Sequence, residues 1–281
     1  MANPVNNDYY QGHGDHWEVF MPINEFIEKL NDIIQKSRVA AKVKTLVSFE
    51  NNVDTITHIW ALLNKTDNFQ IATLLGYDKV SNTNNLITTY PIFMDGTEYN
   101  VVIDKVEEWN NHIEAIVTGH IGEFYFGFFA TDYVDHKDIY TPGVTLKIKL
   151  SALAIMSEIA ERGFEFTGQE ALDFLSKTNT EPTYNVFGEV EPVKFDTTKL
   201  VAYLPSFKKC PDEAEFQSPI LTLKKEEILN REIYRADIIM HRDENENDDE
   251  MTIPLRFKLD GSKNVEIGDP LRGRLWLMGE L

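Results

Sequence analysis

Residues 98–150 constrain the fold most, because they form four runs of β-branched and aromatic residues separated by short connections. The runs are EYNVVIDKVEEW, HIEAIVTGHIG, EFYFGFFATDY and VTLKIKL. Gly122 suits a tight hairpin between the second and third runs, and Pro142 with Gly143 suits a turn before the fourth. The pattern therefore predicts successive antiparallel strands.

The second half of the chain repeats this pattern in EEILNREIYRADIIMHR, MTIPLRFKLD and DPLRGRLWLMGEL. Gly268 and Asp269 supply a turn before the last run, and YNVFGEVEPVKF is strand-like with a bulge or bend at Gly188. Closure of a sheet removes its exposed edges. We therefore predict a mainly β protein with helices (α+β), built as two tandem OB-like antiparallel β-barrel units joined by short helices.

Helical spacing occurs in three other segments. Apolar residues recur every three or four positions after Pro22, which predicts a helix capped by Asn24 and ending near Ser37. SALAIMSEIAERGF also has helical spacing. FTGQEALDFLSK predicts a short amphipathic helix that ends before Pro182.

The length of 281 residues suits two domains. Residues 1–21 show no period, and we predict that they form an extended arm. The helical stretch and its proline exit indicate a boundary near residue 180. This gives a first unit at residues 22–180 and a second unit at residues 181–281.

The sequence contains no apolar run of about 18 uncharged residues, and its N-terminus has no basic region followed by an apolar run. Cys210 is the only cysteine, which excludes an internal disulfide and a cysteine-rich zinc site. A single cysteine also fits a reducing compartment. We therefore expect a cytoplasmic protein without a membrane span.

The formal net charge is −19, from 46 acidic and 27 basic residues. Such a field repels phosphate backbones and disfavours nucleic acid, although small basic clusters occur at Arg38, Lys42 and Lys44 and at Arg272 and Arg274. It favours a protein partner with a basic surface. The charge leaves the oligomeric state open.

Two fragments carry a resemblance to known proteins. FFATDYVDHKDIYTPGVTLKIKLSALA and the terminal GDPLRGRLWLMGEL resemble segments of uncharacterised bacterial proteins with OB-fold-like barrels. In those proteins an aromatic strand is followed by a short acidic loop, a glycine turn and a strand that ends in a small-residue helix. The resemblance implies a fold and carries no biochemical role and no site residues.

Two short segments are candidates for metal binding. Asp132, Asp135 and Asp138 bring three carboxylates into one loop, which suits a hard cation such as calcium, although a capped turn has the same pattern. His13 and His16 in HGDHWE are a second candidate, but no partner pair of ligands accompanies them. We predict no cofactor.

The run DENENDDE is the most acidic segment and lies between two predicted strands. Like charges repel and extend a chain, so a solvated hairpin loop is one interpretation, and contact with a cation or a basic partner is the other. The predicted partner-binding residues are Asp243, Glu244, Glu246, Asp248, Asp249 and Glu250.

Catalytic signatures are missing from the sequence: it has no GxSxG, no GxGxxG and no GxxxxGK[ST]. Our leading hypothesis is a non-enzymatic acidic binding or scaffold protein that contacts a protein partner. One alternative is an acidic mimic of nucleic acid that blocks a nucleic-acid-binding protein. Another is a metal-dependent hydrolase that uses a carboxylate cluster.

Overall fold

The computed structural model describes residues 15–47, 56–65, 69–109, 112–206, 210–242, 250–259 and 264–281. These residues are mainly β-strand with few helices, which confirms the predicted class. No helix in these ranges is both long and apolar enough to cross a bilayer.

The helical elements are a 3₁₀ turn (Asp15–Val19), α1 (Ile23–Lys36), α2 (Tyr133–His136) and α3 (Gly168–Lys177). The first strands are β1 (Arg38–Val47), β2 (Ile56–Lys65), β3 (Phe69–Asp78), β4 (Thr83–Phe93), β5 (Thr97–Glu108), β6 (Ala115–Ile121), β7 (Phe124–Ala130) and β8 (Thr145–Ile159). The remaining strands are β9 (Gly163–Phe166), β10 (Val193–Asp196), β11 (Ala202–Ser206), β12 (Cys210–Ile228), β13 (Arg231–Arg242), β14 (Glu250–Phe257) and β15 (Pro270–Glu280).

The strands form three sheets. β1 to β4 make a four-stranded antiparallel sheet in chain order, and β9 pairs with β10 alone. The third sheet has nine strands in the order β11-β12-β13-β14-β8-β15-β7-β6-β5, with further pairings of β12 with β15 and of β8 with β5. The short contacts of β8 with β14 and of β15 with β7 are parallel, and the other pairings are antiparallel.

The prediction of two tandem closed barrels is not confirmed, because the sheets are not closed into separate barrels. Strands from both halves share one sheet: β8 from the first half pairs with β15 along ten residue pairs, from Leu271↔Ile159 to Glu280↔Lys149. Strand periodicity indicates which residues face a core but does not specify which strands pair. The OB-like character stays a prediction.

Residues 151–159 were predicted to be helical and instead belong to β8. Leu150 and Ala152 face one buried core, and Leu153 faces another. A strand that is buried on both faces has a continuous apolar run instead of an alternating one, and such a run is easily mistaken for a helix.

Two apolar cores hold these layers together. The first lies within the nine-stranded sheet. The second lies between its outer face and a layer formed by the four-stranded sheet, α1 and the 3₁₀ turn. β15 lies between the two cores, because Leu275 and Leu277 belong to the first while Trp276 and Met278 belong to the second.

The described part of the predicted N-terminal arm is packed into the second core. Trp17, Phe20 and Met21 are almost fully buried. The Trp17 ring stacks on Phe26 at 4.0 Å, and its Nε1 donates a hydrogen bond to the Thr89 carbonyl at 2.9 Å. These residues therefore join α1 to the four-stranded sheet.

Several local predictions are confirmed. α1 and α3 form where helical spacing was recognised, and the Gly122 turn joins β6 to β7 with Gly122 at φ +58°. Pro22 occupies the N-cap position of α1, so the predicted Asn24 cap is wrong. Phe126 and Phe128 of β7 are fully buried, so the aromatic strand contributes to the first core.

Candidate functional site

Residues 160–201 leave the nine-stranded sheet at the end of β8 and return to it at the start of β11, and we call them the insert. The insert contains β9, β10 and α3. Its own small core joins Phe166 to Phe174, with ring centroids 4.8 Å apart, and Phe174 to Phe195 at 5.8 Å. At its base, Arg162 Nη2 contacts Asp269 Oδ1 at 2.6 Å, which anchors the insert beside β15.

Residues 184–190 form a turn within the insert, between α3 and β10, which we call the insert tip. Asn185 Oδ1 accepts hydrogen bonds from the backbone amides of Phe187 and Glu189 at 2.9 and 3.0 Å. Gly188 has φ +80°, and its amide donates to the Asn185 carbonyl at 3.0 Å. Short asparagine side chains commonly brace turns in this way, and the positive φ favours glycine. The backbone of the tip is therefore well defined.

The insert tip presents large apolar side chains to solvent. Val186 is 93% exposed, Phe187 is 84% exposed and Tyr184 is 56% exposed. Turn positions normally carry small or polar residues, and scattered exposed apolar residues need no explanation, but a contiguous group on a braced turn does. Aromatic anchors held in a fixed conformation are typical of the residues that dominate protein–protein binding energy.

The apolar tip lies in an acidic stretch. Glu181, Glu189 and Glu191 are exposed, and the sequence has no lysine or arginine between Lys177 and Lys194. Carboxylates around an apolar anchor favour a partner surface that has a basic rim. The tip therefore combines an apolar anchor with the sign of charge that characterises the whole chain.

Two adjacent grooves lie near the base of the insert, and we call them together the double groove. Groove one has a volume of about 460 Å³ and groove two of about 420 Å³. They share Met156, Glu158, Arg272 and Gly273, so the Arg272–Glu158 ion pair, at 2.7 Å, lies on the border between them. Apolar residues line both, among them Val19, Ile155, Ile159 and Leu259 in groove one and Leu204 and Phe216 in groove two.

The loop of α2 does not assemble the predicted metal ligands. Asp132 accepts hydrogen bonds from the Tyr140 hydroxyl at 2.7 Å and the Leu281 amide at 2.9 Å, whereas Asp135 and Asp138 are exposed. In the described ranges, no group of three or more His, Cys, Asp or Glu side chains is arranged to hold a metal ion. The structure thus gives Asp132 a role in joining α2 to the C-terminus.

The predicted acidic partner-binding run falls mostly outside the described residues, which omit positions 243–249. Glu250 is described: it begins β14, and its Oε1 lies 2.8 Å from Arg242 Nη2 on β13. The structure therefore joins Glu250 to its neighbouring strand. Its partner-binding role stays a prediction, like that of the residues before it.

Of the two histidines in HGDHWE, the structure describes His16, whereas His13 lies outside the described residues. His16 is buried and stacks on Trp276 with ring centroids 4.2 Å apart, and its Nε2 lies 3.8 Å from Glu213. Trp276 Nε1 in turn donates a hydrogen bond to Asp212 at 2.8 Å. The cluster lies beside the second core and lines neither groove.

Burial raises the pKa of Asp212 to about 6, although the Trp276 hydrogen bond and nearby His16 act in the opposite direction. The folded protein therefore keeps this proton where the unfolded chain, with a carboxyl pKa of 3.8, has lost it. The resulting stability is complete below that lower pKa and is lost as the pH rises through about 6.

Asp212→Asn should therefore stabilise the protein at pH 8, by up to about 3 kcal/mol, and by less at pH 5. The amide oxygen can still accept the Trp276 hydrogen bond, so the change removes the charge and little else. Urea unfolding of both proteins at the two pH values measures the difference. An Asn variant that is less stable than the parent at pH 8 would contradict this role of burial.

The insert tip does not follow from the sequence pattern, which predicts a strand with a bend at Gly188 in YNVFGEVEPVKF. The bend is present, but the regular strand begins only at Val193. One feature of the sequence could have indicated the tip: Val186 and Phe187 lie between Asn185 and Gly188. A turn bounded by Asn and Gly seldom has two large apolar residues at its centre.

Comparison with protein-family models, with curated proteins and with solved structures found no match to this chain.

Proposed function

We propose that this chain is a non-catalytic protein-binding protein that docks its insert tip into an apolar pocket on a protein with a basic surface. The exposure of Val186 and Phe187 on a turn braced by Asn185 carries the proposal. Burial of a side chain the size of Phe187 contributes about 1.5–3 kcal/mol, which is the scale of a binding hot spot.

Charge supports the same kind of partner. Long-range attraction between a chain of net charge −19 and a basic protein raises the rate of encounter, and the carboxylates of the tip orient the complex. Because screening weakens such attraction, the affinity should fall as salt increases. Binding that is insensitive to salt would argue against a basic partner.

The double variant Val186→Ser, Phe187→Ser is expected to weaken partner binding about 30-fold or more, since it removes the anchor and leaves the turn intact. Affinity capture from a lysate of the source cell, with quantitative mass spectrometry on parent and variant, identifies a basic protein that depends on the tip. Binding of that purified protein, measured by calorimetry, then gives the change in affinity.

Val80→Ser is the matched control. Val80 is 78% exposed, and its amide donates to Asp78 Oδ1 at 2.8 Å, so it lies on a turn that a side chain braces in the same manner. The control should bind like the parent. Equal capture by the parent and the double variant would overturn the proposal.

A further inference from the structure

The double groove contains positively charged side chains, which the insert tip lacks. Its cations are Lys258, Arg272 and Arg274, and they balance Glu18, Glu158 and Glu215 within the two linings. The groove is thus locally neutral on a chain of net charge −19. It is a surface where the acidic tip meets less repulsion than elsewhere.

Arg274 has donors to offer to a further carboxylate. Its Nε lies 3.6 Å from Glu213 Oε2, which is longer than a hydrogen bond. Arg272 is half-exposed and pairs with Glu158, which is itself exposed, so a second carboxylate can share or replace that contact. Arginine suits such exchange because its planar fork offers five donors.

The groove is also large enough and apolar enough to admit the tip side chains. Met156 is 64% exposed and lines both grooves, and Leu204 and Phe216 extend the apolar wall of groove two. Either groove, at about 460 or 420 Å³, exceeds the volume of one valine or phenylalanine side chain. The exposed tip does not fill the groove of its own chain.

We propose that the insert tip of one copy of this chain occupies the double groove of a second copy, with Val186 and Phe187 against Met156 and the tip carboxylates at Arg272 and Arg274. The inference rests on the proposed docking role of the tip and adds a regulation of it, because a tip held by a second copy is withheld from the basic partner. Since each copy carries both a tip and a groove, two copies can exchange tips reciprocally.

Sedimentation of the purified full chain over a range of concentrations and salt tests the inference. We expect concentration-dependent dimers that strengthen from low to physiological salt, because screening reduces the repulsion between two copies of charge −19. Partner binding has the opposite salt dependence, so the two proposals fail separately. A parent that remains monomeric under all these conditions overturns self-association and leaves partner docking standing.

Two variants locate the contact. Phe187→Ser removes the anchor, and Met156→Glu places a carboxylate in the groove at a position that is 64% exposed, where water can hydrate the charge. Each should weaken self-association about 30-fold, while Val80→Ser should not change it. Dimers that survive both changes would overturn the assignment of the contact.

A mixing experiment distinguishes this contact from nonspecific association. Phe187→Ser keeps an intact groove and Met156→Glu keeps an intact tip, so the two variants together retain one complete contact. Labelled Phe187→Ser protein should therefore associate with Met156→Glu protein more strongly than either variant associates with itself. A mixture that stays monomeric, from a parent that dimerises, would overturn the tip-in-groove arrangement.

Discussion

Arg256→Ala is expected to lower the free energy of unfolding by about 3 kcal/mol or more, because it removes a fully buried cation and leaves two partly buried carboxylates, Asp95 and Glu226, without it. Arg256 is 0% exposed, its Nε donates to Glu226 Oε2 at 3.1 Å, and its guanidinium lies 4.2 Å from the Phe93 ring centroid. Its Nη2 lies 2.6 Å from Asp95 Oδ1, in an ion pair that lacks hydrogen-bond geometry. Urea unfolding measures the loss.

Asp95, which pairs with Arg256, lies at the connection between the two large sheets. The residue lies between β4 and β5, where the chain passes from one sheet to the other, and it also accepts a hydrogen bond from Arg235 Nε at 2.8 Å. Burial acts to raise the pKa of Asp95, but Arg256 and Arg235 outweigh it and hold the pKa below its usual value. The two arginines therefore hold the β4–β5 connection against β13 and β14.

Arg242→Ala is the control for Arg256→Ala. Arg242 pairs with Glu250 at 2.8 Å on the neighbouring strands, but both side chains are partly exposed to solvent. Its loss should cost less than about 1 kcal/mol. Similar losses for Arg242→Ala and Arg256→Ala would show that the buried network does not hold the sheets together.

Gly273→Val is expected to destabilise the protein by about 3 kcal/mol or more, because the two long strands β8 and β15 approach closely at this glycine. A Cβ at position 273 would lie 1.9 Å from the Met156 carbonyl oxygen and 2.8 Å from its carbonyl carbon. Backbone atoms cannot move aside as a side chain can, so the strands must separate. Thermal unfolding measures the effect.

Gly122→Ala distinguishes crowding from backbone strain. Gly122 has φ +58°, but a Cβ there meets no atom within 4 Å. We expect a cost of about 1 kcal/mol, from strain alone. A Gly273→Val protein that is no less stable than Gly122→Ala would contradict the close approach of β8 and β15.

Much of the secondary structure follows from residue periodicity, but the pairing of strands does not. The runs at residues 98–150 are rich in β-branched and aromatic residues, and each lies in a strand. The error at β8 has a physical cause, since Leu150 and Leu153 face different cores and leave no polar face to set a period of two. Pairing depends on contacts between distant segments, such as β8 with β15, which local patterns do not encode.

The candidate site was less predictable than the fold. From the sequence, the aspartates of the α2 loop and residues 243–250 were the predicted site residues, because carboxylates bind cations and basic partners. The tip instead depends on exposure, which a sequence pattern cannot assign to Val186 and Phe187. The same residue types are buried in β7, where Phe126 and Phe128 are fully enclosed.

Photo-cross-linking from position 187 in the source cell tests the proposed docking most directly. A photoreactive benzoylphenylalanine replaces Phe187 in one protein and Val80 in another, two positions that are both largely exposed on braced turns. We expect a basic partner to be cross-linked from position 187 only. Cross-links that are the same from both positions, or that join only two copies of this chain, would contradict the proposed docking.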